Sequence, residues 1–375
     1  MNEQAPRINV SMTVEQLWQD VPGGSGTYIK ELAAQLVGRA DVAPTGIRAR
    51  GAAGDTKGLP PTLPVLASRL PRPALYEAWS RLRRPSVPSD GPVDVVHATT
   101  WAIPPRSAPL VVTVHDLAFE RSPQHFTPRG VRFFERALEI TRDEADVVVV
   151  PSRATMLDCV EAGIEKDRIH VVPHGTSAAD VTDAAAADFR ARHGLARDFV
   201  LWCGTLEPRK NVGRLLAAFE RSVDDHDLDL VLIGPNGWGS TSSEVRTALT
   251  NLPSGRVHVL GHVTWDDLQV AYSAARVFCF PSLWEGFGMP VLEAQAHGTP
   301  VVTSAGTSMA EVVGDGALLV DPLDADAIAH ALTLAAGPQH DELASAALRN
   351  AEAYTWRRAA DLTVQAYRDA LGVTA

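Results

Sequence analysis

Residues 280–300 read FPSLWEGFGMPVLEAQAHGTP, and the reading of the whole chain is organised around them. The run 276–280 predicts a strand that stops at Pro281. A glycine-rich loop follows, carrying Glu285, Gly286 and Gly288. Pro290 then opens a helix that runs to about His297, with Gly298 past its end, the placement of proline and glycine that helices favour. Pro300 starts the next strand. A helix start with free N–H groups behind a glycine-rich loop is a ready anion site. Two carboxylates stand eight residues apart, Glu285 in the loop and Glu293 in the helix. Carboxylates do not bind phosphate. They are therefore expected to serve the uncharged parts of a phosphate-bearing ligand, its sugar and ribose hydroxyls.

With 375 residues the chain is long for one core and comfortable for two domains. It is 45% hydrophobic and 21% charged, an ordinary globular composition. A formal net charge of −11 argues against a nucleic-acid binder, because phosphate backbones demand a basic surface. The run Arg81-Leu82-Arg83-Arg84 is a local basic patch, for which a solvated helix end is the plainer reading. No run approaches the roughly 18 apolar residues of a membrane span. The N-terminal MNEQAPRINV lacks the apolar core of a signal peptide. The expectation is a cytoplasmic protein, with weak peripheral association at the inner face of the plasma membrane left open. Cys159, Cys203 and Cys279 are widely spaced within predicted helix or strand, and are expected to be reduced, buried small hydrophobes.

In the N-terminal half, residues 8–14 read as a first strand. Ile29, Leu32, Ala33, Leu36 and Val37 repeat at the spacing of a buried helix face. Between them, Pro22-Gly23-Gly24-Ser25-Gly26 forms either a loop whose amides approach a phosphate or simply a tight turn. Residues 49–74, rich in Gly, Pro and Ala, predict a surface loop. Two buried-type strands follow at 93–97 and 110–114, the second ending in His115-Asp116. Ligands of open α/β sheets bind beyond the carboxyl ends of strands, so His115 is placed for function. A structural histidine held by Asp116 fits equally. Helices at 128–141 and 152–162 alternate with strands at 147–150 and 169–172, with Ser152 as an N-cap. This alternation predicts a mostly parallel sheet covered on both faces.

The pattern breaks at Pro173-His174-Gly175 and the Ala- and Asp-rich 176–189, which places a domain boundary near residue 176. It restarts with a strand at 199–203, the segment Gly204-Thr205-Leu206-Glu207-Pro208-Arg209-Lys210-Asn211, a helix at 212–222 and a strand at 228–233. Arg209 and Lys210 stand at a strand's carboxyl end, where they can neutralise a diphosphate, arginine by a fork and lysine as a point charge. Gly234–Gly239 predicts a flexible loop. Strands at 257–260, 301–304 and 317–320, a helix at 265–273 and about 50 helical C-terminal residues complete the half. Trp356, Leu362, Ala366 and Tyr367 form a packing face for the last helix. Asp224-Asp225 and Asp266-Asp267 look like solvated helix-end charges, and no acidic triplet suggests a metal site.

With these residues in place the chain resembles the family-4 retaining glycosyltransferases, sugar-nucleotide-dependent enzymes of the GT-B architecture, over nearly its whole length. EGFGMPVLE, from Glu285 to Glu293, matches that family's E-x7-E motif. Pro281-Ser282, GTLEPRKN, VHDL and GGSGTY follow in the expected order. VHDLAF, with Pro123, Phe126 and EPRKN, looks most like mannosyltransferase-type members that use GDP-mannose, with a UDP- or other sugar nucleotide as the alternative donor. The resemblance implies an α/β fold of two Rossmann-like parallel-sheet domains facing across a cleft. Residues 1–175 would bind the acceptor and 176–354 the nucleotide sugar, while 355–375 would form a helix crossing back to the N-terminal domain. The acceptor would be a saccharide, lipid-linked or small-molecule hydroxyl.

The same resemblance implies the site. Glu285 would hold hydroxyls of the donor sugar and Glu293 those of the ribose, while Arg209 and Lys210 clamp the diphosphate. Amides of Gly288, Met289 and Val291, with Gly24 beside Gly23, would cradle phosphate oxygens. His115 would contact the donor sugar near the reacting centre. Thr205 stands where many members carry arginine, so charge neutralisation falls to Arg209 and Lys210; Thr205 and Ser282 are placed with them in the donor site. His174 replaces the asparagine of many members and receives no role. No separate cofactor and no metal are implied. A sugar-nucleotide epimerase and a non-catalytic sugar-nucleotide-binding protein are the competing readings. A phosphorylase would need a pyridoxal lysine site that the sequence does not offer.

Overall fold

The computed structural model describes residues 7–373 apart from 52–56, 225, 236–244, 246–248 and 251. The expected loop at Gly234–Gly239 therefore lies outside the described residues from Asn236 onward, as do most of the N-terminal decapeptide and Asp225. Two units are present, one running to Gly175 and resuming at Trp356, the other spanning Thr176–Thr355.

The first unit is built on β1 (Ile8–Thr13), β2 (Val42–Arg50), β3 (Val65–Pro71), β4 (Val95–Ala98), β5 (Leu110–Thr113), β6 (Val147–Val150) and β7 (Ile169–Val171). All pairings are parallel, in the order β3-β2-β1-β4-β5-β6-β7. The second unit repeats the scheme with β8 (Asp198–Cys203), β9 (Leu228–Ile233), β10 (Val257–Gly261), β11 (Val277–Phe280), β12 (Val301–Ser304) and β13 (Ala317–Val320). Its order is β10-β9-β8-β11-β12-β13, again parallel throughout. In both sheets the chain winds outward from a central strand, then returns and winds the other way. That reversal opens a crevice beyond the carboxyl ends of β1 and β4, and another beyond β8 and β11. Strands such as β6, four valines all buried, read as continuous apolar runs because helices cover both sheet faces.

The described helices are α1 (Gly23–Val37), α2 (Arg72–Glu77), α3 (Ala118–Arg121), α4 (Pro128–Glu144), α5 (Arg153–Glu161), α6 (Asp183–His193) and α7 (Val212–Ser222). They continue with α8 (Trp265–Ala274), α9 (Met289–Ala296), α10 (Ser308–Val312), α11 (Ala325–Ala336), α12 (His340–Ala351) and α13 (Trp356–Ala370). Hydroxyl caps set several starts: Ser152 accepts from the Thr155 amide, Thr182 from Ala185 and Thr264 from Asp267.

Several sequence expectations are corrected. The presumed surface loop 49–74 contains the end of β2, the edge strand β3 and the start of α2. β3 is an edge strand with one buried residue, Ser68, so its sequence lacks the apolar alternation that marks a half-buried strand. The Ala- and Asp-rich segment after residue 176 contains α6, whose alanines give no amphipathic signal and which anchors through buried Phe189. Gly23 and Gly24 are the first turn of α1 and not a loop ahead of it. Leu362 is only half-buried; the inward face of α13 is Trp356, Ala359, Ala360, Thr363, Val364, Ala366 and Tyr367. Asp267 is held by Arg192 at 2.6 Å instead of being freely solvated. In the basic run, Arg81 pairs with Glu77 at 2.8 Å and Arg83 with Glu144 at 2.7 Å.

Helix α13 packs on α1, β5 and β6 of the first unit. Its Tyr367 hydroxyl lies 2.8 Å from Nδ1 of the buried His97, whose Nε2 is 2.8 Å from the Thr113 hydroxyl. Tyr367→Phe leaves that nitrogen without its partner in a dry site. It is expected to cost about 1–3 kcal/mol, read as a lower urea midpoint at unchanged slope. An unchanged midpoint would remove this hydrogen bond from the account of how the last helix is held.

Candidate active site

The crevice of the second sheet lies between the loops that follow β8 and β11. Beyond β8, Gly204 passes so close to Gly234 that a Cβ on Gly234 would sit 1.8 Å from the Gly204 carbonyl oxygen. A single turn of 3-10 helix, Pro208–Lys210, then presents Arg209 and Lys210. Asn211, in the left-handed conformation (φ 57°), starts α7. Its amide donates to the carbonyls of Pro281 (2.9 Å) and Pro322 (2.7 Å), tying the β8 loop to the β11 loop. The Leu283 amide donates to the Arg209 carbonyl at 2.9 Å and adds a second tie.

Glu285 sits where these loops meet and is only 8% exposed. One carboxylate oxygen accepts from Lys210 Nζ and from the Ser282 hydroxyl, each at 2.7 Å. The other lies 2.6 Å from the Arg209 guanidinium. Burial pushes this carboxyl up, but Arg209, Lys210 and Ser282 outweigh it and hold the group at about 2. Arg209 also donates to Glu207 and to the Trp284 carbonyl, both at 2.7 Å. Two cations and two carboxylates thus meet in one cluster. The Lys210 ammonium lies 4.7 Å from the centre of the Phe280 ring. The Ser308 hydroxyl fixes the Glu285 backbone by donating to its carbonyl at 2.6 Å.

Helix α9 begins immediately after this cluster. Gly288 caps it at φ 94°, where a Cβ would approach Met309 Cγ to 2.7 Å, so glycine is required on both counts. The Val291 amide donates to the Gly288 carbonyl at 3.1 Å. That leaves the amides of Gly288 and Met289 as the helix-start donors among the three expected. Glu293, half-buried in the next turn, accepts from the Tyr272 hydroxyl at 2.8 Å. Burial raises its carboxyl to about 7, partly offset by that hydrogen bond. The Tyr272 hydroxyl also lies 2.8 Å from Cys203 Sγ. Thr205 is half-buried, and its carbonyl accepts from the Glu207 amide at 2.9 Å.

Gly23, Gly24 and His115 belong to the first unit. The two glycines are exposed on the opening turn of α1. His115 follows β5, with Nε2 3.0 Å from the Thr99 carbonyl. A carbonyl only accepts, so Nε2 carries the proton and Nδ1 offers a lone pair. Burial pulls the imidazole below its ordinary value, which keeps it neutral at pH 7. Asp116 does not hold the ring through this bond; its carboxylate accepts from the Ala118 amide at 3.1 Å.

The structure thus brings together Arg209, Lys210, Ser282 and Glu285, with Gly288, Met289 and Glu293 on the adjoining helix. Sequence reasoning missed Glu207, Asn211, Tyr272 and Ser308. Glu207 and Asn211 flank the Pro-Arg-Lys run and were legible there, whereas Tyr272 and Ser308 reach the site from neighbouring elements without a local signal. Among the described residues there is no cluster of three or more His, Cys, Asp or Glu suited to a metal ion, and no helix long and apolar enough to cross a membrane.

Comparison with known proteins places this geometry. Residues 186–351 match the glycosyl transferases group 1 family, and residues 22–180 match Glycosyltransferase Family 4. The chain is 32% identical over 317 residues to O-antigen chain mannosyltransferase B of Escherichia coli, covering 81% of this chain and 82% of that one. It is 30% identical over 283 residues to the MMP alpha-(1->4)-mannosyltransferase of Mycolicibacterium hassiacum, covering 70% of this chain and 66% of that one. The crystal structure of Anabaena HepE in complex with UDP and glucose superposes with a TM-score of 0.73 at 18% identity, covering 96% and 99% of the two chains. Two doubly wound parallel sheets carrying this site constitute the GT-B fold class, and the chain belongs to the family-4, group 1 glycosyltransferases.

Proposed function

We propose that the enzyme moves a hexose, best read as mannose from GDP-mannose, onto a hydroxyl acceptor with retention of configuration. The observation that carries this reading is the buried Glu285 carboxylate gripped by Arg209 and Lys210 at the mouth of α9. The sugar is suggested by the two mannosyltransferases at 32% and 30% identity. A UDP-sugar is the alternative, suggested by the UDP complex of the 18% identical HepE.

The chemistry follows from where charge develops. As the C1–O bond to the diphosphate breaks, the sugar becomes oxocarbenium-like and negative charge grows on the leaving phosphate. Arg209, Lys210 and the amides of Gly288 and Met289 then stabilise the departing group. An incoming diphosphate competes with Glu285 for the two cations, which frees the carboxylate to accept hydrogen bonds from hydroxyls of the donor sugar. Paired with Arg209 and Lys210, Glu285 is held ionised, so it meets the incoming donor as a hydrogen-bond acceptor and not as a proton donor. The acceptor oxygen bonds C1 on the face the diphosphate leaves, and its proton passes to a phosphate oxygen. No separate protein base is required, and no step calls on a metal. In the first unit, neutral His115 offers Nδ1 to a sugar hydroxyl. Glu293 supplies a carboxyl for the ribose.

Thermal shift with GDP, UDP, ADP and dTDP tests the donor class. Stabilisation by GDP alone is expected, and selective stabilisation by UDP would replace mannose from GDP-mannose with the alternative donor.

Glu285→Ala and Lys210→Ala are each expected to lower transfer by about 100- to 1,000-fold. Near-normal turnover with only a lowered melting temperature would mean that the cluster merely ties two loops together.

Glu293 sets a pH dependence. Its folded carboxyl titrates at about 7 against an ordinary 4.5. The stability it contributes is complete below 4.5 and is lost as pH rises through about 7, up to about 3 kcal/mol at about 1.4 kcal/mol per pH unit. Glu293→Gln is expected to gain stability relative to the parent between pH 4.5 and 8. Parallel urea midpoints across that range would contradict the assignment.

A further inference from the structure

The first unit holds a cavity of about 620 Å³ beyond the carboxyl ends of β1, β4 and β5. One side is aromatic: Tyr76, Trp101, Phe119, Phe126, Phe133 and Phe134 all line it. Their rings form an unbroken chain of contacts. Ring centres are 6.2 Å apart for Tyr76–Phe133, 5.6 Å for Phe133–Phe134, 5.8 Å for Phe126–Phe134, 5.3 Å for Phe119–Phe134 and 5.6 Å for Trp101–Phe119. All fall within the range of favourable aromatic pairs. Phe119 is buried, and the other five are half-buried. The chain has 10 Phe, 8 Trp and 5 Tyr, so this one wall uses about a quarter of its aromatic residues. The rest of the lining is mostly polar, with Gln16, Gln19, Asp20, Ser25, His115 and Asp116.

The division decides what fits. A saccharide needs polar partners around its whole edge and stacks about one ring per sugar. Four of the six wall residues are phenylalanines, which offer no polar atom at all. Partly exposed aromatic rings lining a concave cavity beside polar groups are the usual make-up of a ligand site. The polar side, with two carboxylates and a neutral imidazole, suits an uncharged hydroxyl-bearing group.

We propose that this cavity holds the acceptor and that the acceptor is an amphiphile. Its hydroxyl end lies at His115 and Asp116, and an alkyl, prenyl or aromatic body of about six or more carbons lies on the Trp101–Phe134–Tyr76 wall. This rests on the reading that the enzyme transfers to a hydroxyl acceptor held by the first unit, and it adds the chemical class of that acceptor.

The test is binding to the full chain without donor. Methyl and octyl α-mannosides, the latter below its micellar concentration, are titrated and followed by calorimetry. The octyl compound is expected to bind about 10- to 100-fold more tightly, the effect of burying two or three methylenes. Phe133→Ser is expected to abolish most of that ratio, with Phe126→Ser as the second variant should the first fail to fold. Leu82→Ser, at a leucine 71% exposed outside the cavity, is expected to leave the ratio intact. Equal binding of the two mannosides, or a ratio that survives both phenylalanine variants, would overturn the proposal. So would equal loss in Leu82→Ser, which signals unspecific adsorption. GDP thermal shift run on the same samples separates the two readings. Normal GDP stabilisation without the octyl preference sinks the acceptor class alone. The octyl preference without nucleotide stabilisation sinks the donor reading and leaves the cavity's assignment standing.

Discussion

A carboxylate removed from water has to be paired, and Glu285 is the place in this protein where that requirement is most demanding. A single unpaired charge there would cost several kcal/mol. The side chain satisfies it with a lysine and an arginine 75 and 76 positions earlier in the chain, and with a serine three positions away. The pairing is possible only because β8 and β11 are neighbours in a sheet that reverses its winding between them. The loop ties through Asn211 and Leu283 hold the same two segments together. The fold and the charge cluster therefore depend on each other. The proposed function draws on the same cluster, with a diphosphate taking over the cations and hydroxyls the carboxylate.

The first unit repeats the winding but handles buried polarity differently. Around its central strands the polar groups are neutral: His97 with Tyr367 and Thr113, Tyr28 with Thr113, and Thr13 with Thr99. Burial holds His97 down to about 3 and His115 and His174 below their ordinary range, so none carries charge at neutral pH. Neutral hydrogen bonds avoid the desolvation cost that ion pairs must overcome. The fixed cations of the second unit match the diphosphate proposed to bind there.

Much of the fold was legible because the central strands are buried on both faces and read as plain apolar runs. Residues 147–150 were recognisable in this way, and the helix 212–222 was expected between two such strands. The misses have physical causes. β3 is a partly exposed edge strand whose one buried position is a serine, and α6 is an alanine-rich helix whose faces do not differ. Gly23 and Gly24 looked like loop because glycine is a poor helix former, yet a helix tolerates them in its first turn, where N–H groups lack partners in any case.

The sequence by itself determined the local devices. These are the glycines and proline that start α9, the spacing of Glu285 and Glu293, the adjacent cations at 209–210 and the motif that identifies the family. Each depends on residues close together in the chain, where backbone geometry fixes the outcome. Tertiary structure decided everything that depends on distance through the fold. It set Glu285 against both cations, which moves its carboxyl down to about 2, and placed Glu293 beside Tyr272, in a site whose burial raises its carboxyl to about 7. It also gathered six aromatic side chains from five separate places in the chain into one wall. Desolvation and charge pairing are properties of the assembled surroundings, and no local run of residues contains them.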